Sequence, residues 1–227
     1  MDQQTMMSAY GQQAPIARMS PHGNKICRVT MQQGQDLFAK QGSMIAYTGF
    51  INFMPYRESR GNRVRGRAAG EQLALMQCQG QGDLYLADYG ADVVMLQLQG
   101  NGISVNGANI LAFDATLTKS IGWVSGIANK FSGNGMTNIE LAGHGWVAIT
   151  TQGTPVVLNP SEQETCVDPD ALVAWSTGLR IKSKRSARIG ALVGRGTGEA
   201  MQVAFTGSGF VVVQPSEDST DRFHIRG

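Results

Sequence analysis

Histidine, cysteine and charge are all scarce in this chain, and each shortage removes a class of function. The three histidines, His22, His144 and His224, show no HxH, HxxxH or HExxH spacing, so no histidine-based metal centre is written into the sequence. The three cysteines, Cys27, Cys78 and Cys166, are odd in number, lie 51 and 88 residues apart and form no CxxC. That excludes a zinc knuckle or a disulfide framework and fits a reducing, cytoplasmic setting. Charged residues make up 16% of the chain, below the usual ~25%, and a net charge of +2 is too mild to select a partner. No run of 18 apolar residues is present, which argues against a membrane-spanning helix. Residues 1–24 lack a basic stretch followed by an apolar one, so no secretory signal is expected. Rich in Gln, Met, Ser and Pro, they are expected to form a flexible tail, as are residues 218–227.

Catalytic motifs are equally sparse. There is no GxSxG elbow, and the GxGxGE at 194–199 lacks the strand–loop–helix context that would aim backbone amides at a phosphate. Asp168 and Asp170 flank Pro169 and read as a turn. His144 lies between two glycines at a strand entrance, where two related segments carry Gln81 and Ser208, so it reads as a turn residue. No catalytic, cofactor-binding or metal-binding residue is assigned, and no enzyme is expected.

Glycine, by contrast, is abundant: 29 of 227 residues, near twice the typical ~7%. It also carries the organisation of the chain. Gly80-Gln81-Gly82, Gly143-His144-Gly145 and Gly207-Ser208-Gly209 recur at intervals of 63 and 64 residues, each opening an apolar run. A second signature keeps the same phase: aliphatic, aliphatic, Ala, aromatic. It reads Met44-Ile45-Ala46-Tyr47, Ile110-Leu111-Ala112-Phe113 and Leu172-Val173-Ala174-Trp175, each copy following a turn-rich step. Among those steps, Asn106-Gly107 is a strong hairpin signal. The expected fold is all-β, with three tandem β-sandwich-like repeats of about 64 residues in a pseudo-threefold arrangement. Their spans are 26–98, 99–160 and 161–217, within one domain over 25–217.

Period-2 spacing puts Leu84, Val147 and Val211, and two residues on Leu86, Ile149 and Val213, on one face of a strand in each unit. All six are aliphatic, so that face is expected to be buried. The alanine of the second signature suggests a close approach of another backbone, with the aromatic covering the rim of the core. Helical periodicity is confined to Ile121, Val124, Ile127 and Phe131, where Gly122 and Gly126 allow at most a short or broken helix.

The ordered set formed by residues 42–46, 109–114, 139–145 and 167–175 resembles the altered-inheritance-of-mitochondria protein 24 family, and the likeness covers roughly 25–217. The resemblance implies a fold grouped with the tryptophan RNA-binding attenuation protein and a bacterial cytoplasmic protein without established catalysis. Mitochondrial relatives are associated with inner-membrane organisation. The resemblance supplies no catalytic set, and a shared fold does not license RNA binding.

Charge is concentrated in two segments. Arg57, Arg60, Arg63, Arg65 and Arg67 crowd one, against the single acid Glu58. Arg180, Lys182, Lys184, Arg185, Arg188 and Arg195 crowd the other, with no acid among them. Both fall between the Ala-aromatic signature and the GxG of their unit. The corresponding segment of the middle unit is apolar and contains Trp123. Gathered at one end, these connections would form a surface for an anionic membrane or an acidic protein partner. Nucleic acid is disfavoured because no aromatics interleave with the basic residues. The expected function is a non-enzymatic, self-associating scaffold or binding protein, with a peripheral binder of anionic surfaces through 57–67 and 180–195 as the alternative.

Overall fold

The computed structural model describes residues 2–12, 14–56, 73–123, 137–186 and 200–215. Among these residues a short helix α1 (Gln3–Tyr10) is followed by fifteen strands. The first five are β1 (Met19–His22), β2 (Ile26–Met31), β3 (Leu37–Lys40), β4 (Met44–Pro55) and β5 (Leu75–Leu86). Next are β6 (Asp92–Asn106), β7 (Ile110–Asp114), β8 (Thr118–Trp123) and β9 (Thr137–Thr151). The last six are β10 (Val156–Leu158), β11 (Thr165–Val167), β12 (Leu172–Ser176), β13 (Arg180–Ser186), β14 (Ala200–Thr206) and β15 (Val211–Val213). Every described strand pair is antiparallel. A twelve-stranded sheet follows the order β1-β2-β5-β3-β7-β9-β6-β12-β15-β10, with β4 branching from β5 and β8 from β9. A three-stranded sheet, β11-β14-β13, stands beside it. The protein is therefore mostly antiparallel β, as expected.

The spacing of the sequence signatures reappears as strand register. Met44 faces Leu86, Ala46 faces Tyr85 and Tyr47 faces Leu84. In the same relation Ile110, Ala112 and Phe113 face Ile149, Ala148 and Val147, and Leu172, Ala174 and Trp175 face Val213, Val212 and Val211. Each pairing carries a register shift at the same step, just before the alanine. The residue passed over is Ile45, Leu111 or Val173, and a bulge there bends the strand. Leu84, Leu86, Val147, Ile149 and Val211 are buried as the alternation requires, while Val213 is half-buried. Phe113 and Trp175 do not cover a rim: both are buried, Phe113 in the main core with Ile110, Val147 and Ile149, and Trp175 in a smaller core with Phe205 and Val211.

The GxG motifs are not strand entrances in the first two copies, because β5 and β9 run straight through them. Their second glycines share one neighbour, the residue after the signature aromatic. A Cβ on Gly82 would lie 1.9 Å from the Thr48 carbonyl oxygen; one on Gly209 would lie 2.6 Å from Ser176 Cβ, and one on Gly145 3.1 Å from Asp114 Cβ. The motif thus clears space for the strand that crosses it.

Several expectations change on tertiary grounds. Asn106-Gly107 makes no hairpin: its turn is a 3-10 segment, Gly107–Asn109, capped by the Asn106 side chain accepting from the Ala108 amide. The strands it joins, β6 and β7, pair with other strands rather than with each other. Asp168 caps Pro169–Ala171 in the same way, accepting from the Asp170 amide. Ile121 lies on β8 opposite Ile139, so the helical reading fails there; Val124, Ile127 and Phe131 lie outside the described residues. The 98/99 boundary falls inside β6, whose two parts pair with successive stretches of β9. Residues 19–22 are a strand of the main sheet rather than a loose tail, with Met19 and Ser20 buried. Residues 218–227 lie outside the described residues.

Candidate functional site

The cationic segments are described only in part. Arg57, Arg60, Arg63, Arg65, Arg67, Arg188 and Arg195 lie outside the described residues. Trp123 ends β8 opposite Thr137, and Arg185 on β13 lies opposite Met201 of β14. Arg180, Lys182 and Lys184 alternate along β13, so the pleat puts all three on one exposed face of the small sheet, while Ile181 packs toward the core beneath it. Lys184 donates a hydrogen bond to Glu164, just before β11, and that bond holds its ammonium above the ordinary lysine range. The basic face therefore includes one cation already engaged by an acid of its own chain.

Two other arginines are structural. Arg28 is buried and donates through Nε and Nη2 to Asp83 at 3.1 and 3.0 Å. Burial opposes ionisation of Asp83, but hydrogen bonds and charge from Arg28, with hydrogen bonds from Thr30 and Gln12, outweigh it and hold the carboxyl below its usual range. Arg18 donates to Asp114 at 2.7 Å and to the carbonyls of Thr30 and Gln35, while Asp114 also accepts from the Trp146 amide. These contacts fasten the N-terminal segment across β2 and β7. Burial pushes the thiols of Cys27 and Cys78 up to about 12, which leaves exposed Cys166 as the accessible thiol. Among the described residues no group of three or more His, Cys, Asp or Glu side chains is placed to hold a metal ion, and no helix is long and apolar enough to cross a membrane.

The feature that sequence reasoning missed is the edge formed by β4. Its signature residues align in register with β7 and β12, yet their surroundings are opposite. Phe113 and Trp175 are 0% and 2% exposed; Tyr47 is 47%, Ile45 53% and Phe50 90%. All residues of 44–50 are exposed. The reason is a missing neighbour. β7 is flanked by β9 and by β3, and β12 by β15 and by β6, whereas β4 pairs only with β5 among the described residues. The signature itself was visible in the sequence; its exposure in one copy was not.

A family model described as mitochondrial biogenesis AIM24 matches residues 18–216. The chain belongs to the AIM24 family. The match begins where Arg18 and β1 join the sheet, so the N-terminal strand is part of the family's domain. An X-ray structure of a Streptococcus pyogenes protein is similar over 88% of this chain and 92% of its own, with a TM-score of 0.66 at 20% identity. At that identity the likeness concerns the AIM24 fold alone. No curated protein matches.

Proposed function

We propose that this AIM24-family chain is a non-catalytic, self-associating scaffold of three related β units, descended from one motif and arranged as an open series. The recurrence of one register and one bulge at β4–β5, β7–β9 and β12–β15 supports the common unit. The single observation that carries the binding role is the uncovered strand 44–50. Its apolar and aromatic side chains face water and its outer backbone edge has no described partner. An edge of this kind pairs readily with another chain unless charge, proline or a covering element blunts it, and 44–54 holds neither charge nor proline. The free cysteines fit work in the cytoplasm. Sedimentation velocity of the native protein tests self-association: particles at multiples of 24.3 kDa are expected. A monomer at tens of micromolar overturns the reading.

A second reading, binding to an anionic membrane surface, draws on Arg180, Lys182 and Lys184 sharing one exposed face of β13. Basic side chains near such a surface contribute about 1 kcal/mol each and are screened by salt. Co-sedimentation with phosphatidylserine vesicles at low salt, abolished by reversing these three charges, is the expected result. Absence of binding at low salt removes this reading.

A further inference from the structure

We propose that the uncovered edge of β4 is completed by strand β11 of a second copy of this chain, in antiparallel register with Val167 opposite Ala46, Cys166 opposite Tyr47 and Thr165 opposite Thr48. The proposal rests on self-association and names the strand that performs it.

Two interfaces already present in the chain fix this geometry. β3 covers β7 with Leu37 opposite Asp114, Phe38 opposite Phe113 and Ala39 opposite Ala112. β6 covers β12 with Ile103 opposite Ser176, Ser104 opposite Trp175 and Val105 opposite Ala174. In both cases the covering strand places its residues against the same three signature positions: the alanine, the aromatic and the residue after it. The covering strands are themselves equivalent. Leu37 pairs with Cys78, Ile103 with Leu141 and Thr165 with Phe205, each partner the same step before its GxG. β11 is thus the third member of the set that begins with β3 and the end of β6. Unlike those two, it covers nothing: among the described residues it pairs only with β14 and forms one edge of the small sheet.

Among the described residues there is therefore one signature strand with no cover and one covering strand with nothing to cover, at opposite ends of the same series. Joining the two between copies repeats an interface that the protein makes twice within itself. The exposed pattern agrees, since Tyr47 and Cys166 are both exposed and would meet on one face as a directly opposed pair. Charge agrees as well. Glu162, Glu164, Asp168 and Asp170 flank β11, and residues 44–56 contain no acid to repel them. Because the two surfaces differ, the contact is head-to-tail and continues into a ring or a filament.

The register supplies its own test. Directly opposed residues of an antiparallel pair have Cα atoms about 4.5–5.5 Å apart, within the range a disulfide spans. The Tyr47→Cys variant of the full chain, oxidised with copper phenanthroline, is expected to give a ladder of covalent multimers that dithiothreitol reverses. Combining it with Cys166→Ser abolishes the ladder, and mixing that double variant with wild-type chain restores a linked dimer only. Thr48→Cys, one residue out of register, is expected to link at least tenfold more slowly. As a second measurement, Tyr47→Lys is expected to keep its melting temperature and sediment as a monomer. If Tyr47→Cys loses two thiols while remaining one chain in mass, β11 closes on its own β4 and the proposal is overturned. A native particle that is multimeric yet gives no link leaves the scaffold reading standing and overturns the strand and register named here. A monomer that gives no link overturns both.

Discussion

Strands β4 and β7 carry the same four-residue pattern, pair with their own long partners in the same register and bulge at the same step, yet one lies in water and the other in the core. The difference continues beyond the signature. After Phe113 the chain turns between β7 and β8, with the Leu117 amide donating to the Asp114 carbonyl, and Leu179 does the same to Ser176 after Trp175. After Tyr47 no turn occurs: β4 runs on unbroken to Pro55, and Gly49, at φ +82, sits so close to β5 that a Cβ would lie 2.4 Å from the Gln81 carbonyl oxygen. The corresponding positions in the other copies are Ala115 and Thr177. A signature therefore determines how a strand meets its hairpin partner, while a neighbour on the other side determines whether that strand is buried.

Substitution at the aromatic position sharpens this contrast most. Phe113→Ala empties a fully buried site and is expected to cost about 3–5 kcal/mol in chemical denaturation, whereas Tyr47→Ala in dilute monomer is expected to stay within about 0.5 kcal/mol. Equal losses would erase the distinction. Removing residues 1–20 comes next. It deletes buried Met19 and strips Asp114 of Arg18, for an expected loss of about 3 kcal/mol and a clearly lowered melting temperature. An unchanged melting temperature would return this segment to the role of a tail.

Gly82→Ala probes the crossing of β4 over β5. With φ at +144 and a Cβ placed against the Thr48 carbonyl, a loss of roughly 1–3 kcal/mol is expected. Gly42→Ala, also at positive φ but with open space around it, is expected to lose less, about 1 kcal/mol. Equal effects would show that backbone conformation alone, not the approach of β4, demands glycine at position 82.

Changing pH tests the anchoring of β2 to β5. The folded-state pKa of Asp83 is depressed, so its pairing with Arg28 stabilises the fold above the unfolded value of about 3.9 and is lost as pH falls through the lower folded value. Asp83→Asn is expected to lower stability at pH 7 by about 1–3 kcal/mol and to flatten the acid limb of a denaturation series below about pH 4. An acid limb as steep as that of wild type would assign the titration to another carboxylate.

The sequence by itself determined the β class, the phase of the two signatures and which aliphatics face inward, because strand alternation and glycine geometry are local properties that residues such as Leu84, Val147 and Gly82 state directly. It misled at Asn106-Gly107, whose turn chemistry was real but whose flanking strands found other partners, and at Ile121, where a short apolar spacing fits a strand as well as a helix. Burial of Met19 and exposure of Tyr47 were decided only by tertiary structure. Both depend on whether a strand distant in sequence lies alongside, and that is fixed by where the series of units begins and ends, a property that no window of neighbouring residues contains.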